Sequence, residues 1–474
     1  MIRSSGPLDC RSSEERGGRP PGDSCNSAAL PTQRAYGGAF WFSYIANLLV
    51  LVAGGLLFRY ADFVMAIGGT EFHLGWIVGV GMVGSLLVRL AIGQAIDSRG
   101  PRIVWLGSLL LFALASFGNL AVTRVDGPAI YALRIAHSCA LAGIFGSSLT
   151  FIVTRVPPRR MAELWGMLGT AGFLGALIGP LIGDWLLGGE SVTRGQIDRM
   201  FTLAGLLALG ALGFAWLATR DQAGRPRRPR SPLWAVLRQY HPGFTLLWVG
   251  VAMGIGLGLP ITFIRPFAGS LDIARISVFF TCYSVAAIIT RVLTRRLPER
   301  LGPRPMILVG LIGLAVSQLL LLTVAREWQM ILPGLCYGTS HGLLFPCVVA
   351  AANAYFPAEH RGVGNLLILS MSDLGVLIGA PMLGMVLVSA RHAGLPAYPT
   401  MFVLAATVTA ATTVLFWLAN WAGVSRKRDQ AVDHVAEHCA AATGVGPVTR
   451  GVSPEGCPTP PEQAFSGSPA SSRS

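Results

Sequence analysis

The feature that most constrains this chain is the recurrence of apolar runs about 20 residues long along residues 39–422. Each is long enough to cross about 30 Å of hydrocarbon as a helix. Twelve such runs are read, near 39–60, 74–96, 103–123, 128–151, 162–187, 200–219, 244–267, 274–296, 305–325, 329–352, 362–387 and 399–422. Inside a bilayer every backbone N–H and C=O must be satisfied within the protein, so these runs are expected to be helices. Only 13% of the 474 residues are charged, against about 25% in soluble chains. A soluble enzyme is excluded on that ground.

The net charge of +14 does not indicate a nucleic-acid partner, because the arginines lie in short loops and tails. The loops at 97–102, 154–165, 220–243, 292–304 and 353–361 hold 16 of them. The alternate loops at 59–73, 123–128, 188–199, 266–275, 325–328 and 388–398 hold 7. The positive-inside rule places the first set in the cytoplasm of a cell-membrane protein, with both termini there too. The scattered tryptophans read as interfacial belts. The eight cysteines form no Cys-x-x-Cys or Cys/His spacing, so neither a disulfide framework nor a metal site is expected. The first apolar run begins only near Phe40, which argues for an uncleaved anchor and against a leader peptide.

Two stretches divide the chain. Arg89-Leu-Ala-Ile-Gly93-Gln-Ala-Ile-Asp97-Ser-Arg99-Gly100-Pro-Arg102 recurs in part 202 residues later as Arg291-Val-Leu-Thr-Arg295-Arg-Leu-Pro-Glu299-Arg-Leu-Gly302-Pro-Arg304. An arginine, an acid eight residues on and a Gly-Pro-Arg keep register. With six spans in each half, both copies enter the membrane from the same side. The expected architecture is an all-α membrane protein, twelve transmembrane helices as two parallel six-helix repeats. Such pairs hold substrate between the halves and rock around it. The expected division is a disordered tail at 1–37, six-helix bundles at 38–219 and 244–422, a basic cytoplasmic linker at 220–243 and a disordered tail at 423–474.

These stretches resemble the major facilitator superfamily over residues 38–422. Gly93, Asp97, Gly100 and Arg102 match its loop signature. Ser98 and Pro101 stand where basic residues are usual, with Arg99 supplying a charge between them. The resemblance implies a loop that helps close the cytoplasmic side, with Asp97 accepting hydrogen bonds at the start of span 11 near Arg361-Gly362, where the helix dipole favours an acid. Glu299, Gly302 and Arg304 would do the mirrored work, although Arg295 replaces a glycine there. Span 5 carries Gly166, Gly175, Gly179-Pro180 and Gly183, which resemble the pattern of the drug–proton antiporter branch, with Asp184 in place of a final glycine. Gly175, Gly179 and Gly183 share one face, which also suits plain close packing. Arg134, with His137 three residues on, resembles a span-4 arginine of that branch and implies a part in proton coupling.

Ionisable groups inside spans are costly and usually face a cavity or a partner. Asp373 lies about 11 residues into span 11, roughly 16 Å deep. It points about 200° away from Gly375, so a glycine face against a neighbouring helix would turn the acid to the centre. The matching place in span 5 is Phe173. His341 lies mid-span among small polar residues, either as a neutral hydrogen-bonded histidine or as a proton-exchanging group, since an unperturbed imidazole titrates near physiological pH. Arg265 and Arg291 lie near span ends and read as interface anchors.

The function expected is proton-coupled efflux of small molecules by alternating access, with Asp373, His341, Arg134 and His137 along the pathway. No Gly-x-x-x-x-Gly-Lys loop is present, so no nucleotide cofactor and no enzymatic step are expected. The partners expected are a small-molecule substrate, protons and the bilayer, with one chain forming the pathway. An importer or facilitator of small organic anions is the alternative, its intramembrane arginines binding carboxylate. A membrane sensor without transport is the third.

Overall fold

The structure is a computed structural model. It describes residues 37–153, 161–188, 192–220, 233–240, 242–294, 296–357 and 360–443. Among these, every regular element is a helix. The first half contains α1 (Gly38–Leu56), α2 (Tyr60–Ala66), α3 (Glu71–Gly118), α4 (Pro128–Val153), α5 (Met161–Leu186) and α6 (Arg194–Thr219). A short α7 (Leu233–Gln239) follows. The second half contains α8 (Phe244–Gly269), α9 (Ser277–Thr294), α10 (Leu297–Leu301), α11 (Pro303–Leu320), α12 (Ile331–Asn353), α13 (Arg361–His392) and α14 (Ala397–Thr443). Among the described residues, eleven helical segments are long and apolar enough to cross a membrane. The 48-residue α3 is two crossings, because Gly100 breaks it at φ 81, ψ 154. Arms 71–99 and 101–118 restore the twelve expected spans.

The repeated Gly-Pro sets the same break twice. Gly302 adopts φ 78, ψ 162 between α10 and α11. That backbone region strongly favours glycine over residues with a Cβ. The proline that follows suits the first position of the next helix, where no N–H is needed. A common sequence thus gives a common turn at the same end of each half.

Three boundaries differ most from expectation. The first span runs on through a 3₁₀ turn into α2, giving a helical stretch over Gly38–Ala66. The sixth begins at Arg194 and not near 200, because Thr193 and Gln196 form a capping box. The last continues to Thr443, so residues 423–443 are helix where a disordered tail was expected. That stretch has alanines and long polar side chains with no proline, and only Gly423 interrupts it, which favours helix. Residues 1–36 and 444–474, and most of the linker, lie outside the described residues.

Each half builds its own apolar core, one around Trp105, Phe112 and Phe201, the other around Phe263, Phe279 and Phe402. Large apolar side chains also point outward, with Leu293 77% and Trp185 80% exposed, as a lipid-facing surface requires. Within each half, glycines bring two helices together. A Cβ on Gly175 of α5 would lie 2.6 Å from the Leu51 carbonyl carbon of α1, and a Cβ on Gly375 of α13 would lie 2.1 Å from the Val251 oxygen of α8. Both members of the second contact lie 200 positions after those of the first, so the repeat holds in space. Between the halves, α3 meets α13 and α5 meets α9. The side holding Glu71 and Asp184 is the latch end, and the side holding Gly100 and Gly302 is the turn end.

Candidate functional site

The two seams between the halves carry the chemistry. On the first, the Asp373 carboxylate of α13 accepts from Arg89 Nε of α3 at 2.6 Å and from Ser85 Oγ at 2.5 Å. The Arg89 and Asp373 side chains are 13% and 16% exposed. Gly375 faces α8, and Asp373, two residues earlier, faces the other half. An ion pair between two rigid bodies is held only while they stay seated, and its strength depends on the acid being ionised.

The second seam keeps the arginine and loses the acid. Arg291, 202 residues after Arg89, has its guanidinium carbon 4.8 Å from the Phe173 ring centre of α5 and 5.8 Å from that of Phe345. Its Nε is buried without a hydrogen-bond partner, and no acid pairs with it among the described residues. Gly169 leaves it room, since a Cβ there would lie 2.3 Å from Arg291 Nη1. His341 is hydrogen-bonded through Nδ1 to the Tyr283 hydroxyl. Its ring is 5.6 Å from Phe173 and 5.9 Å from Phe345. His341 and Arg291 therefore share one aromatic cluster.

Arg134 and His137 are not brought together in this way. Arg134 lies over the Tyr60 ring at 4.8 Å, inside the first half, with its Nε buried and unpartnered. His137 is 2% exposed and turns to the second arm of α3, 3.1 Å from Ser116 Oγ, with the Phe112 ring 4.9 Å away. Its place is the core of the first half.

A charged latch closes the other end. Arg59, 1% exposed, bonds Asp62 through Nε and Asp184 through Nη1, the latter at 2.6 Å. Arg265 of the second half donates to Asp62 at 2.8 Å, and the Ser277 backbone N–H donates to Asp184 at 2.7 Å. Gly183 makes space for this, since a Cβ there would lie 3.1 Å from Arg59 Cγ. Arg391 grips Glu71 with two bonds, and the Tyr398 hydroxyl adds a third at 2.9 Å. Arg265 and Arg291, read from sequence as interface anchors, thus both reach across to the opposite half. Arg59, Asp62 and Glu71 were not singled out, and Asp184 was noted only as a departure from a glycine pattern. The available signal was charge of both signs at span ends, which positive-inside counting does not use.

At the turn end the described residues of the loop signature make few contacts. Asp97 Oδ1 is buried with no hydrogen-bond partner, and among the described residues no bond joins Asp97 to the start of α13. A Cβ on Gly93 or Gly362 would meet nothing within 4 Å. Arg99 and Arg304 are exposed. Nearer the turns than Arg89 and Arg291, no hydrogen bond, ion pair or ring contact joins the halves among the described residues. The Glu299 side chain, like Gly166's surroundings, lies outside what is described.

Comparison with known proteins fits this frame. The sequence profile of the Major Facilitator Superfamily matches residues 38–274 and again 246–437. The chain belongs to the Major Facilitator Superfamily. Within that family, it is 28% identical over 275 residues to the multidrug resistance protein MdtG of Salmonella paratyphi C (strain RKS4594), an alignment covering 54% of this chain and 64% of that protein. The chain thus spans just under two thirds of that relative's length. It is 26% identical over 354 residues to MdtG of Salmonella arizonae (strain ATCC BAA-731 / CDC346-86 / RSK2980), covering 71% of this chain and 81% of that one. The fold is similar to the nucleoside transporter NupG (TM-score 0.65, 12% identity, 80% of this chain and 98% of that chain). It is also similar to the human organic anion transporter MFSD10 (TM-score 0.56, 16% identity, 79% and 98%).

Proposed function

We propose that this chain is a secondary transporter that exports small amphipathic molecules from the cytoplasm in exchange for protons, without chemistry on the substrate. The observation that carries the reading is the Asp373 carboxylate held across the seam by Arg89 and Ser85. Ionised, it ties the halves together. A proton on Asp373 cancels the pairing and leaves Arg89 as an uncompensated charge in a partly dry seam, which is costly. The halves then re-seat so that Arg89 reaches water. A ligand shifts such an equilibrium only by its differential affinity for the two states, and the proton supplies that difference here. His341 sits in the facing seam, where substrate would pass. Arg134 and His137 act, in this reading, by shaping the first half around α3. The MdtG relatives, described as multidrug resistance proteins, support export.

The arginine distribution puts the turn end and both termini in the cytoplasm of a cell membrane. The latch is then the outer gate, and the ends of the two halves beyond Arg89 and Arg291 face inward. One chain supplies both seams, so a monomer suffices. Efflux from bacteria lacking their own major pumps tests the reading, with ethidium and carboxyfluorescein as separate loads. Wild type should empty at least one load faster than empty vector, a protonophore should stop it, and Asp373→Asn should reduce it at least tenfold. Membrane-inserted wild type that exports neither load, or protonophore-sensitive export retained in Asp373→Asn, would sink it.

A further inference from the structure

The two seams are copies that have been filled differently. Gly175 and Gly375 place α5 and α13 in register, so Phe173 and Asp373, each two residues before its glycine, are repeat mates. Arg89 and Arg291 are mates, as are Ser85 and Ala287, each pair 202 apart. The first seam reads Ser85, Arg89, Asp373. The second reads Ala287, Arg291, Phe173. The carboxylate that accepts from Arg89, and the hydroxyl that donates to that carboxylate, are both replaced by apolar groups, while the arginine stays. What remains around Arg291 is two aromatic rings, a Tyr283–His341 hydrogen-bonded pair and a buried Nε with no partner.

An arginine left half-buried without an acceptor is an unfavourable arrangement for a resting protein. Stacking on Phe173 and Phe345 offsets part of that cost by cation–π attraction and fixes the plane of the guanidinium. Its remaining donors then form a pre-oriented fork suited to a planar or tetrahedral anion. The rings and the imidazole supply an apolar wall with few polar groups, the usual make-up of a small-molecule pocket.

We propose that Arg291 is the receptor for the negative group of the transported molecule, an aromatic or otherwise apolar organic anion. Its carboxylate, sulfonate or phosphate takes, in the second seam, the place that the Asp373 carboxylate takes in the first. The carboxylate absent from the repeat is carried in by the substrate. One seam then answers to protons and the other to cargo, and each closes when its arginine is neutralised. This rests on the transport reading above for the word "transported"; the binding site does not depend on it.

The test is thermal unfolding of the purified full chain in detergent with 2-naphthoate, 2-naphthalenesulfonate, 2-naphthyl phosphate and, as the neutral match, 2-naphthamide. At millimolar concentration at least one anion should raise the wild-type midpoint by several degrees, and the amide should not. Arg291→Gln should abolish the shift. Phe173→Asp, which supplies the missing carboxylate within the protein, should raise the midpoint without ligand and abolish the response to ligand. Arg199→Gln, which removes an exposed cation far from the seam, should respond as wild type. Should Arg291→Gln fail to elute as a single species on gel filtration, Phe173→Asp still decides. No anion outperforming the amide, or a shift that survives either variant, overturns the proposal. Anion binding through Arg291 in a chain that exports neither dye would instead fault the transport reading and leave this site standing.

Discussion

At the scale of single residues, the same side chain does different work according to what faces it. Arg89 and Arg291 occupy matching places, yet one is answered by Asp373 and the other by aromatic faces. Gly100 and Gly302 show the opposite case, one residue type held to one task. Both lie at positive φ with ψ near the extended limit, a region where a Cβ costs about 1–3 kcal/mol. Gly100→Ala and Gly302→Ala should each lower the thermal midpoint in detergent. Gly107→Ala, inside the second arm of α3 with nothing within 4 Å of a new Cβ, should not lower it. Equal midpoints across the three would mean that the turn tolerates other backbone geometry. Part of this was legible in the sequence, because Gly-Pro-Arg recurs in register. Asp373 was legible as an acid in an apolar span, and its angle to Gly375 indicated its face. Its partner was not, since Arg89 lies 284 positions away and nothing local to either residue names the other.

At the scale of helices, small residues decide which pairs can approach. The glycines of α5, read as a signature of antiporters, act in the structure as a contact surface. Gly55, Gly175 and Gly179 bring α1 and α5 to backbone contact, and Gly254, Gly375 and Gly379 do the same for α8 and α13. Gly254→Val places new atoms against the Ser372 carbonyl oxygen, which a Cβ alone would approach to 2.0 Å. Backbone cannot step aside as a side chain can, so a cost of about 3 kcal/mol, the upper end of the usual range, is expected. The amount of monodisperse protein after gel filtration should fall sharply. Gly54→Ala, where a Cβ meets nothing within 4 Å, should leave it unchanged. Gly254→Val purifying as well as wild type would refute close α8–α13 packing. The helices themselves were legible from hydropathy because lipid forces backbone pairing inside each span. Their ends were less so. The Thr193–Gln196 box and the extension to Thr443 are decided by local capping and propensity, which hydropathy does not weigh.

At the scale of the molecule, two rigid halves meet along seams that end in a charged latch. Asp62 joins Arg59 of its own half and Arg265 of the other, and Asp184 joins Arg59 and the Ser277 backbone. Removing one partner from such a network leaves another charge short of compensation and favours a separated arrangement. Ser277 is 5% exposed, so a cysteine there reports on the latch. Arg265→Gln should speed maleimide modification of Ser277→Cys several-fold relative to Ser277→Cys alone. An unchanged rate would show that apolar contacts such as Phe58 on Phe280, 4.6 Å apart, hold this end unaided. The two-half architecture was legible from the internal repeat. The latch was not, because its members come from the turn before α2, from α2, α3, α5 and α8, from the start of α9, and from α13 and α14, and only the packed halves bring them together.

In the proposed mechanism, the bond between Arg89 and Asp373 couples proton movement to exchange of the halves. The most direct measurement follows proton and cargo flux together in vesicles reconstituted with the full chain, carrying an internal pH dye and whichever load wild type exports from cells. Wild type should move protons against the direction of the load. Asp373→Asn should still exchange load for load across the membrane while moving no protons with it, since the carrier is lost and the pathway is kept. Proton movement coupled to the load in Asp373→Asn, at the wild-type ratio, would contradict the account and place the coupling group elsewhere in the chain.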